Sequence, residues 1–577
     1  MESDFVDGIA VSPGITIGKV YLINNQKQEI DKSRIAEDEI QAELNKLSKA
    51  LSQAEKSLHN IKKQTEERFG PEKAEIFEAH LMFLEDPEFI TAIEEEIKEN
   101  RLRAEAAVSK VVDQYVQLMT QLDDEYILAR QADFKDVGGR LIKIIKGEKS
   151  NSQKISPNTI IVAKDLTPSD TAQLDSEKVL AFVTAEGSRT SHTSIMARSL
   201  GIPAVVGIGI ELLERVKNGQ EVIVDGTDGK VIIEPAQDTI KHYQNKIEKQ
   251  QQELERKRKF VHKKAVTIDG FEIKVAGNIG NLSDLDVVLE QGADGVGLFR
   301  TEFLYMDREQ SPSEEEQFEV YKDVTIKAGD KPVIIRTLDI GGDKELSYMK
   351  LPDELNPFLG YRAIRICLDR PNIFKAQLKA ILRAANYGQI KIMFPMIAAL
   401  EELSKAKQQL DLCKEELKVV GKEYNPNIEV GVMIETPAAV MIAEELAREA
   451  DFFSIGTNDL IQYTIAVDRT NKKVSAMHSP YHPSVLRLIN KVVKTAHRQG
   501  IPVGMCGEAA SEEILIPFLL GIGLGELSMS AVSILSVKEQ ISKWSRKDAL
   551  LIAEKVLELG SSKEIKDYLS EVIRKDR

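Results

Sequence analysis

One histidine of this chain stands among hydroxyls. The run Gly187-Ser188-Arg189-Thr190-Ser191-His192-Thr193-Ser194-Ile195-Met196-Ala197-Arg198 sets His192 in a Gly/Ser/Thr-rich turn. An apolar, helix-spaced stretch (Ile195, Met196, Ala197, then Leu200) begins just behind it. The first N–H groups of a helix have no partner within it, and its dipole favours negative charge there. A phosphoryl group carried on His192 would sit at such an end, with Thr190, Ser191, Thr193 and Ser194 as donors and Arg189 as counter-charge. A lone histidine is ordinarily a hydrogen-bonded core or surface residue. The density of hydroxyls here, and a phosphoryl-donor set elsewhere in the chain, favour the carrier.

That donor set is dispersed over the second half. Arg300, Arg336, Glu435, Asn458-Asp459 and Cys506 each close a short apolar, strand-like run. Such residues are costly at strand ends unless they meet a ligand. Two guanidiniums match a phosphate through bidentate contacts. Two carboxylates, Glu435 and Asp459, suit a hard Mg²⁺ ion. Cys506, within Gly504-Met505-Cys506-Gly507-Glu508, has the chemistry of a proton donor. Taken singly, a strand-end arginine is often a structural ion pair, a loop carboxylate a cap, and a lone cysteine inert. Five strand ends supplying one Mg²⁺-plus-phosphate set favour function.

The elements that must position these residues follow from periodicity. Eight apolar segments recur between helical stretches from about residue 263 onward, at 275–278, 295–299, 333–335, 391–394, 432–434, 452–455, 503–505 and 526–529. Eight β/α units in that length predict a (β/α)8 TIM barrel, whose active-site residues belong at the strand ends. Upstream, strands are expected at 15–23, 160–162, 179–183, 204–206, 222–224 and 231–233. Between the first two of these, Ile40, Leu44, Leu47, Leu51, Ala54, Leu58 and Ile61 step by three and four along a long helix, and further helical runs follow at 76–84, 89–97 and 108–122.

The fold expectation is therefore a multidomain α/β protein. Residues 1–23 and 150–235 form a small α/β phosphohistidine domain; 24–149 form an inserted α-helical bundle; 236–262 form an exposed helical linker; 263–577 form the barrel. The linker reading rests on a charged sequence that leaves little to bury beyond Ile240, Tyr243, Ile247 and Leu254.

Composition sets outer limits. A chain of 577 residues exceeds one core. A net charge of −15 argues against a nucleic-acid or anionic-membrane surface and permits a basic protein partner. The acidic N-terminus lacks a signal-peptide pattern, and no apolar run is long enough to span a bilayer. The three cysteines, Cys367, Cys413 and Cys506, indicate neither a disulfide framework nor a zinc cluster and fit a reducing cytoplasm.

The run around His192 resembles the phosphohistidine signature of the phosphoenolpyruvate-utilising enzymes, with Gly187-Ser188 where that signature carries Gly-Gly. Three segments narrow the resemblance: Gly295-Val296-Gly297-Leu298-Phe299-Arg300-Thr301-Glu302-Phe303-Leu304, Arg336-Thr337-Leu338-Asp339-Ile340-Gly341-Gly342-Asp343-Lys344, and Phe453-Ser454-Ile455-Gly456-Thr457-Asn458-Asp459-Leu460 followed by Asp468-Arg469. Over essentially its whole length the chain is similar to the phosphoenolpyruvate–protein phosphotransferases, enzyme I of the bacterial sugar phosphotransferase system.

The resemblance implies that phosphoenolpyruvate phosphorylates His192 and leaves as pyruvate, and that Arg300, Arg336, Asn458, Asp459 and Arg469 bind it. Glu435 and Asp459 hold Mg²⁺, and Cys506 is the proton donor. Arg362 is a further phosphate contact, and Thr171 touches the active histidine. The implied acceptor is the small histidine-containing phosphocarrier protein, docking on the helical insert, and the implied assembly is a cytoplasmic homodimer joined through the barrel. Phe77-Glu78-Ala79-His80-Leu81-Met82-Phe83-Leu84-Glu85-Asp86 is a candidate docking surface with His80 as a contact; a bundle core with a solvated face explains the same pattern. Alternatives are a pyruvate phosphate dikinase or phosphoenolpyruvate synthase, which carry an ATP-binding domain absent from the pattern here, and a regulator that binds phosphoenolpyruvate without turnover.

Overall fold

The computed structural model describes the chain apart from residues 1–3, 24–29, 32, 70, 121–124, 148–155, 176–177, 190, 307, 343, 345, 472 and 576–577. Thr190 thus lies outside the described residues. The chain divides into two compact units, Met1–Gln251 and Gln252–Arg577.

The first unit is built on eight strands: β1 (Asp4–Asp7), β2 (Ile9–Ser12), β3 (Ile15–Ile23), β4 (Thr159–Ala163), β5 (Val179–Thr184), β6 (Ala204–Val206), β7 (Glu221–Asp225) and β8 (Lys230–Ile233). They form one sheet in the order β1-β8-β7-β3-β4-β5-β6-β2. β3 to β6 run parallel through its centre, with antiparallel partners outside them. Central strands buried on both faces read as continuous apolar runs, which is why they were legible. The short β1 and β2 are not among the expected strands.

Five helices leave the sheet between β3 and β4: α1 (Ile40–Phe69), α2 (Pro71–Glu85), α3 (Pro87–Lys98), α4 (Ala104–Thr120) and α5 (Glu125–Ile145). Leu47, Ala54, Leu58 and Ile61 of α1 pack with Phe77 and Leu81 of α2, Ile93 of α3, Val108 of α4 and Leu141 of α5. α5 escapes the sequence pattern because Gly138 and Gly139 interrupt it. The gap is needed: a Cβ on Gly138 would lie 2.5 Å from Val112 Cγ2, so the glycine lets α5 close on α4. His80 is wholly buried (0% exposed), with Nε2 3.3 Å from Asp133 Oδ1 of α5. It is an interior residue of the bundle, which corrects its reading as a surface contact.

Three helices accompany the sheet: α6 (Pro168–Gln173), α7 (His192–Leu200) and α8 (Leu212–Arg215). The charged helix α9 (Gln237–Arg258) follows. Its first half is not an exposed linker. Tyr243 is buried against Ile15, Ile223 and Ile232 of the sheet, and Lys246 donates to Asp225 Oδ2 (2.8 Å) and Asp228 Oδ2 (3.0 Å) in the β7–β8 turn. One aromatic ring and one lysine suffice to dock a helix that otherwise offers charge to water.

The second unit is a closed barrel. A short β9 (Ala265–Val266) pairs antiparallel with β10 (Glu272–Ile279). Then β11 (Val296–Arg300), β12 (Val333–Arg336), β13 (Ile390–Phe394), β14 (Glu429–Ile434), β15 (Phe452–Ile455), β16 (Val503–Met505) and β17 (Glu526–Met529) follow in parallel, and β10 pairs with both β11 and β17. Leu298, Ile334, Met393, Met433 and Phe452, one from each of five consecutive strands, cluster with Cys506 apart from the larger helix-facing core. This cluster fills the barrel interior. Among the described residues, no helix is long and apolar enough to cross a membrane.

Candidate functional site

His192 is the first residue of α7, with Ser191 as N-cap in extended conformation. The Ser191 side chain makes no capping hydrogen bond to the first turn. The positive φ in the preceding loop falls on Gly187 (121°) and not on Ser188, so the backbone tolerates a serine there. The described hydroxyls among the expected phosphate donors, those of Ser191, Thr193 and Ser194, are already engaged. Ser191 Oγ and Ser194 Oγ both donate to the Ser188 carbonyl, at 3.0 and 2.6 Å. Thr193 is buried, with Oγ1 3.4 Å from the Leu166 carbonyl and 3.5 Å from Asp165 Oδ1. They build the loop that aims the helix. Arg189 is exposed, and its carbonyl accepts from Arg198 Nη1 at 3.0 Å.

Thr171 meets the imidazole: Oγ1 lies 3.1 Å from His192 Nε2. The same hydroxyl is 3.0 Å from the Pro168 carbonyl and 3.2 Å from the Thr167 carbonyl. Carbonyl oxygens only accept, so all three contacts are satisfied when the hydroxyl donates to the backbone and accepts from Nε2–H. Thr171 is fixed by the capping box of α6, in which Thr167 and Asp170 bond reciprocally.

In the barrel, Arg300 and Arg336 end adjacent strands and are register partners. Their circumstances differ. Arg336 is buried; Nη2 lies 2.8 Å from Glu302 Oε1 and Nη1 3.0 Å from Asp339 Oδ2. Lys344 Nζ adds a third cation at 2.7 Å from Glu302 Oε1. Asp339 Oδ1 passes the chain to Arg362 Nη2 at 3.0 Å, and the same nitrogen is 3.3 Å from Asp459 Oδ2. Burial would raise the Asp339 carboxyl, but Arg336, Arg362 and Lys344 outweigh it and hold the group well below the usual carboxylate range. Arg300 is exposed, its guanidinium 5.4 Å from the Phe303 ring centroid. Arg469 is half-buried on the loop after the helix Thr457–Ile465, its backbone N–H held by Gln462 Oε1 at 3.2 Å. Neither enters an ion pair among the described residues.

Glu435, just past β14, is 2% exposed and accepts the Met396 N–H at 2.6 Å. Burial first, and then the charges of Asp459 and Asp339, push its carboxyl up to about 8 despite Arg336 and Arg362. A Cβ on Gly456 would lie 2.8 Å from Glu435 Oε2, so that glycine leaves the carboxylate its space. Asp459 Oδ1 is buried without a hydrogen-bond partner among the described residues. A buried carboxylate oxygen without a donor beside a carboxyl pushed toward neutrality is the arrangement a divalent cation relieves, so these residues fit a metal.

Asn458 is held from both sides by Glu508: Nδ2 donates to Oε1 and Oδ1 accepts the Glu508 N–H, both at 3.1 Å. Cys506 is buried, and burial pushes its thiol up to about 11. Asn278 Nδ2 donates to the Cys506 carbonyl at 3.0 Å. Gly507 is obligatory beside it, because a Cβ would fall 1.9 Å from Thr457 Oγ1.

The residues absent from the sequence expectation are Glu302, Asp339 and Lys344. Their signal was at hand: a buried strand-end guanidinium requires counter-charge, and Glu302 and Asp339 lie two and three residues past the two arginines.

Known proteins resemble this chain throughout. Models of the phosphoenolpyruvate-utilising enzymes match residues 7–130 (N-terminal), 155–229 (mobile domain) and 254–546 (phosphoenolpyruvate-binding domain). A phosphoenolpyruvate-protein phosphotransferase of Priestia megaterium is 47% identical over 565 residues, 98% of each chain. That of Bacillus subtilis (strain 168) is 47% identical over 568 residues, 98% of this chain and 99% of the other. That of Staphylococcus aureus is 45% identical over 573 residues, 99% of this chain and 100% of the other. The chain belongs to the phosphoenolpyruvate-protein phosphotransferase family. Within that family frame, His192 lies inside the segment matched as the mobile domain, and Arg300, Arg336, Glu435, Asp459 and Cys506 lie inside the segment matched as the phosphoenolpyruvate-binding domain.

Proposed function

We propose that this chain transfers the phosphoryl group of phosphoenolpyruvate to His192, releases pyruvate, and passes the group to a histidine of the small phosphocarrier protein as the first step of sugar uptake. The observation that carries this reading is the convergence at the barrel mouth of paired guanidiniums, a buried carboxyl displaced to about 8, and a buried thiol.

In this reading Arg300, Arg336 and Arg469 hold the phosphoryl oxygens, and Asn458 orients the substrate. The ion network through Glu302 and Asp339 fixes Arg336 in advance, so little reorganisation is needed when charge develops. Arg300 and Arg469, with no ion pair to break, are available to an incoming anion. Glu435 and Asp459 would hold a divalent ion, Mg²⁺ in our reading, which when bound neutralises charge on the transferring group and on the enolate.

An imidazole nitrogen of His192 attacks phosphorus; the N–P bond forms as the P–O bond to the enol oxygen breaks. The enolate of pyruvate then takes a proton at carbon from Cys506. That step needs a thiol, and a group held near 11 stays protonated at neutral pH. His192 must visit both the barrel mouth and the partner protein, so the reaction demands motion between the units. Phospho-His192 at the start of α7 meets the helix N-terminus. Exposed Met82, beside Glu78 and Glu85 on α2, is our candidate for the phosphocarrier surface. A homodimer through the barrel and a cytoplasmic site complete the proposal.

Labelled phosphoenolpyruvate with Mg²⁺, and labelled ATP in parallel, test it. Acid-labile label from phosphoenolpyruvate alone, absent in His192→Ala and passed to added phosphocarrier, is the expected result. Label from ATP assigns a dikinase reaction instead, and bound but unreacted phosphoenolpyruvate assigns a regulator.

A further inference from the structure

Outside the site just described, the helical bundle brings three metal-binding side chains together. Glu55 and His59 are four residues apart on α1 and so share one face of that helix. Glu85 closes α2, the neighbouring helix. One ligand atom from each, an imidazole nitrogen and two carboxylate oxygens, all lie within 4.8 Å of one another. His59 and Glu85 are exposed and Glu55 is half-buried. No hydrogen bond or ion pair ties any of the three to another group among the described residues. The lysine that bridges these two helices, Lys62, is spent on Glu78. Two carboxylates thus sit together with an imidazole, with no ion pair to a cation among the described residues.

We propose that Glu55, His59 and Glu85 bind a divalent transition-metal ion of the zinc class. Ligands around a tetrahedral zinc stand about 2.0–2.2 Å from the ion, hence roughly 3.4 Å from one another. Small rotamer changes of surface side chains close the remaining gap. The imidazole decides the class: nitrogen ligation suits zinc and its neighbours, whereas Mg²⁺ prefers an all-oxygen shell with retained water. Water supplies the remaining position. The bound ion clamps α1 to the end of α2, at the point where Asp86 caps α3. Because an imidazole must be deprotonated to ligate, acidification releases the ion.

The experiment is a Zn²⁺ titration by calorimetry of the full chain, in buffer with millimolar Mg²⁺ to occupy the barrel carboxylates, on wild type, His59→Ala and Glu55→Gln. All three are expected to give the same far-UV circular dichroism and the same phosphoenolpyruvate-dependent labelling of His192. Wild type should take up one equivalent of Zn²⁺ with micromolar affinity more than His59→Ala, and Glu55→Gln should bind that equivalent at least tenfold more weakly. Equal uptake by wild type and His59→Ala would overturn the site. Loss of the extra equivalent when Mg²⁺ is raised a further tenfold would overturn the assignment to the zinc class.

Discussion

Around His192 the polar groups are neutral, local and tied to backbone, whereas at the barrel mouth they are charged, buried and tied to each other across the barrel. Ser191, Ser194 and Thr171 reach carbonyl oxygens close by in sequence, and Thr193 reaches the Leu166 carbonyl in the segment after β4. Lys344, Glu302, Arg336, Asp339, Arg362 and Asp459 form one continuous network drawn from loops after three different strands. The difference suits the two tasks. On the proposed function, a carrier that must dock twice presents its reactive ring on a short loop, whereas a site that must meet a highly charged substrate is preorganised by fixed charges that cost no rearrangement at the moment of reaction.

The contrast breaks first at Cys506, the proposed donor of a single proton. Cys506→Ala should lower turnover by about 10²- to 10⁴-fold, the usual span for a positioned general acid, with phosphoenolpyruvate binding retained. Binding by calorimetry and pyruvate release in single turnover separate the two. Equal loss of both would assign Cys506 to packing among Met393, Met433 and Phe452.

Next in size is the network itself. Asp339→Ala leaves Arg336 and Arg362 buried with a counter-charge removed, a change that costs about 3–5 kcal/mol. Denaturant unfolding followed at Trp544, which lies in the barrel unit, reads it directly. The parallel change at the carrier loop, Ser191→Ala, removes one neutral hydrogen bond and should cost about 1 kcal/mol. Similar losses at the two places would erase the distinction.

A pH series sharpens the same point. Glu435 stays protonated up to about 8 in the folded chain, against 4.5 for an ordinary glutamic acid. The unfolded chain therefore ionises first, and metal-free stability falls as pH rises from about 4.5 to 8, then levels. A ligand must be deprotonated to bind a cation, so Mg²⁺ binding below pH 8 releases one proton and tightens with pH by up to tenfold per unit. Glu435→Gln should abolish both slopes, as measured by melting curves without metal and by proton release on Mg²⁺ addition.

This division also explains what the sequence made legible. The carrier site is twelve contiguous residues, and its helix start shows in the switch from hydroxyls to apolar spacing. The eight barrel strands are buried on both faces and announce themselves as apolar runs, so their ends could be located residue by residue. Glu302, Asp339 and Lys344 stayed hidden because an ion network is a property of pairs distant in sequence. His80 was misread although its position allowed the right answer: it lies three residues after Phe77 and four before Leu84, both buried on the bundle-facing side of α2. The helix α5 was lost because a Gly-Gly pair reads as a break when nothing tells the reader that Val112 needs the room.

The smallest expected effect lies back at the carrier loop. If Thr171 accepts Nε2–H, its hydroxyl selects one tautomer of His192 without contributing charge. Thr171→Val keeps the shape and removes that acceptor, a loss of about 1 kcal/mol in tautomer preference. Nitrogen-15 NMR of His192 should show the Nε2–H population falling, with the phosphorylation rate changed by no more than about fivefold, since 1 kcal/mol corresponds to a factor of that order. A rise in the Nε2–H population would mean that the hydroxyl donates to Nε2, leaving the Pro168 and Thr167 carbonyls without its proton. A rate loss of a hundredfold or more would mean that Thr171 acts on the transferring phosphoryl group, and that the carrier loop, like the barrel mouth, stabilises developing charge.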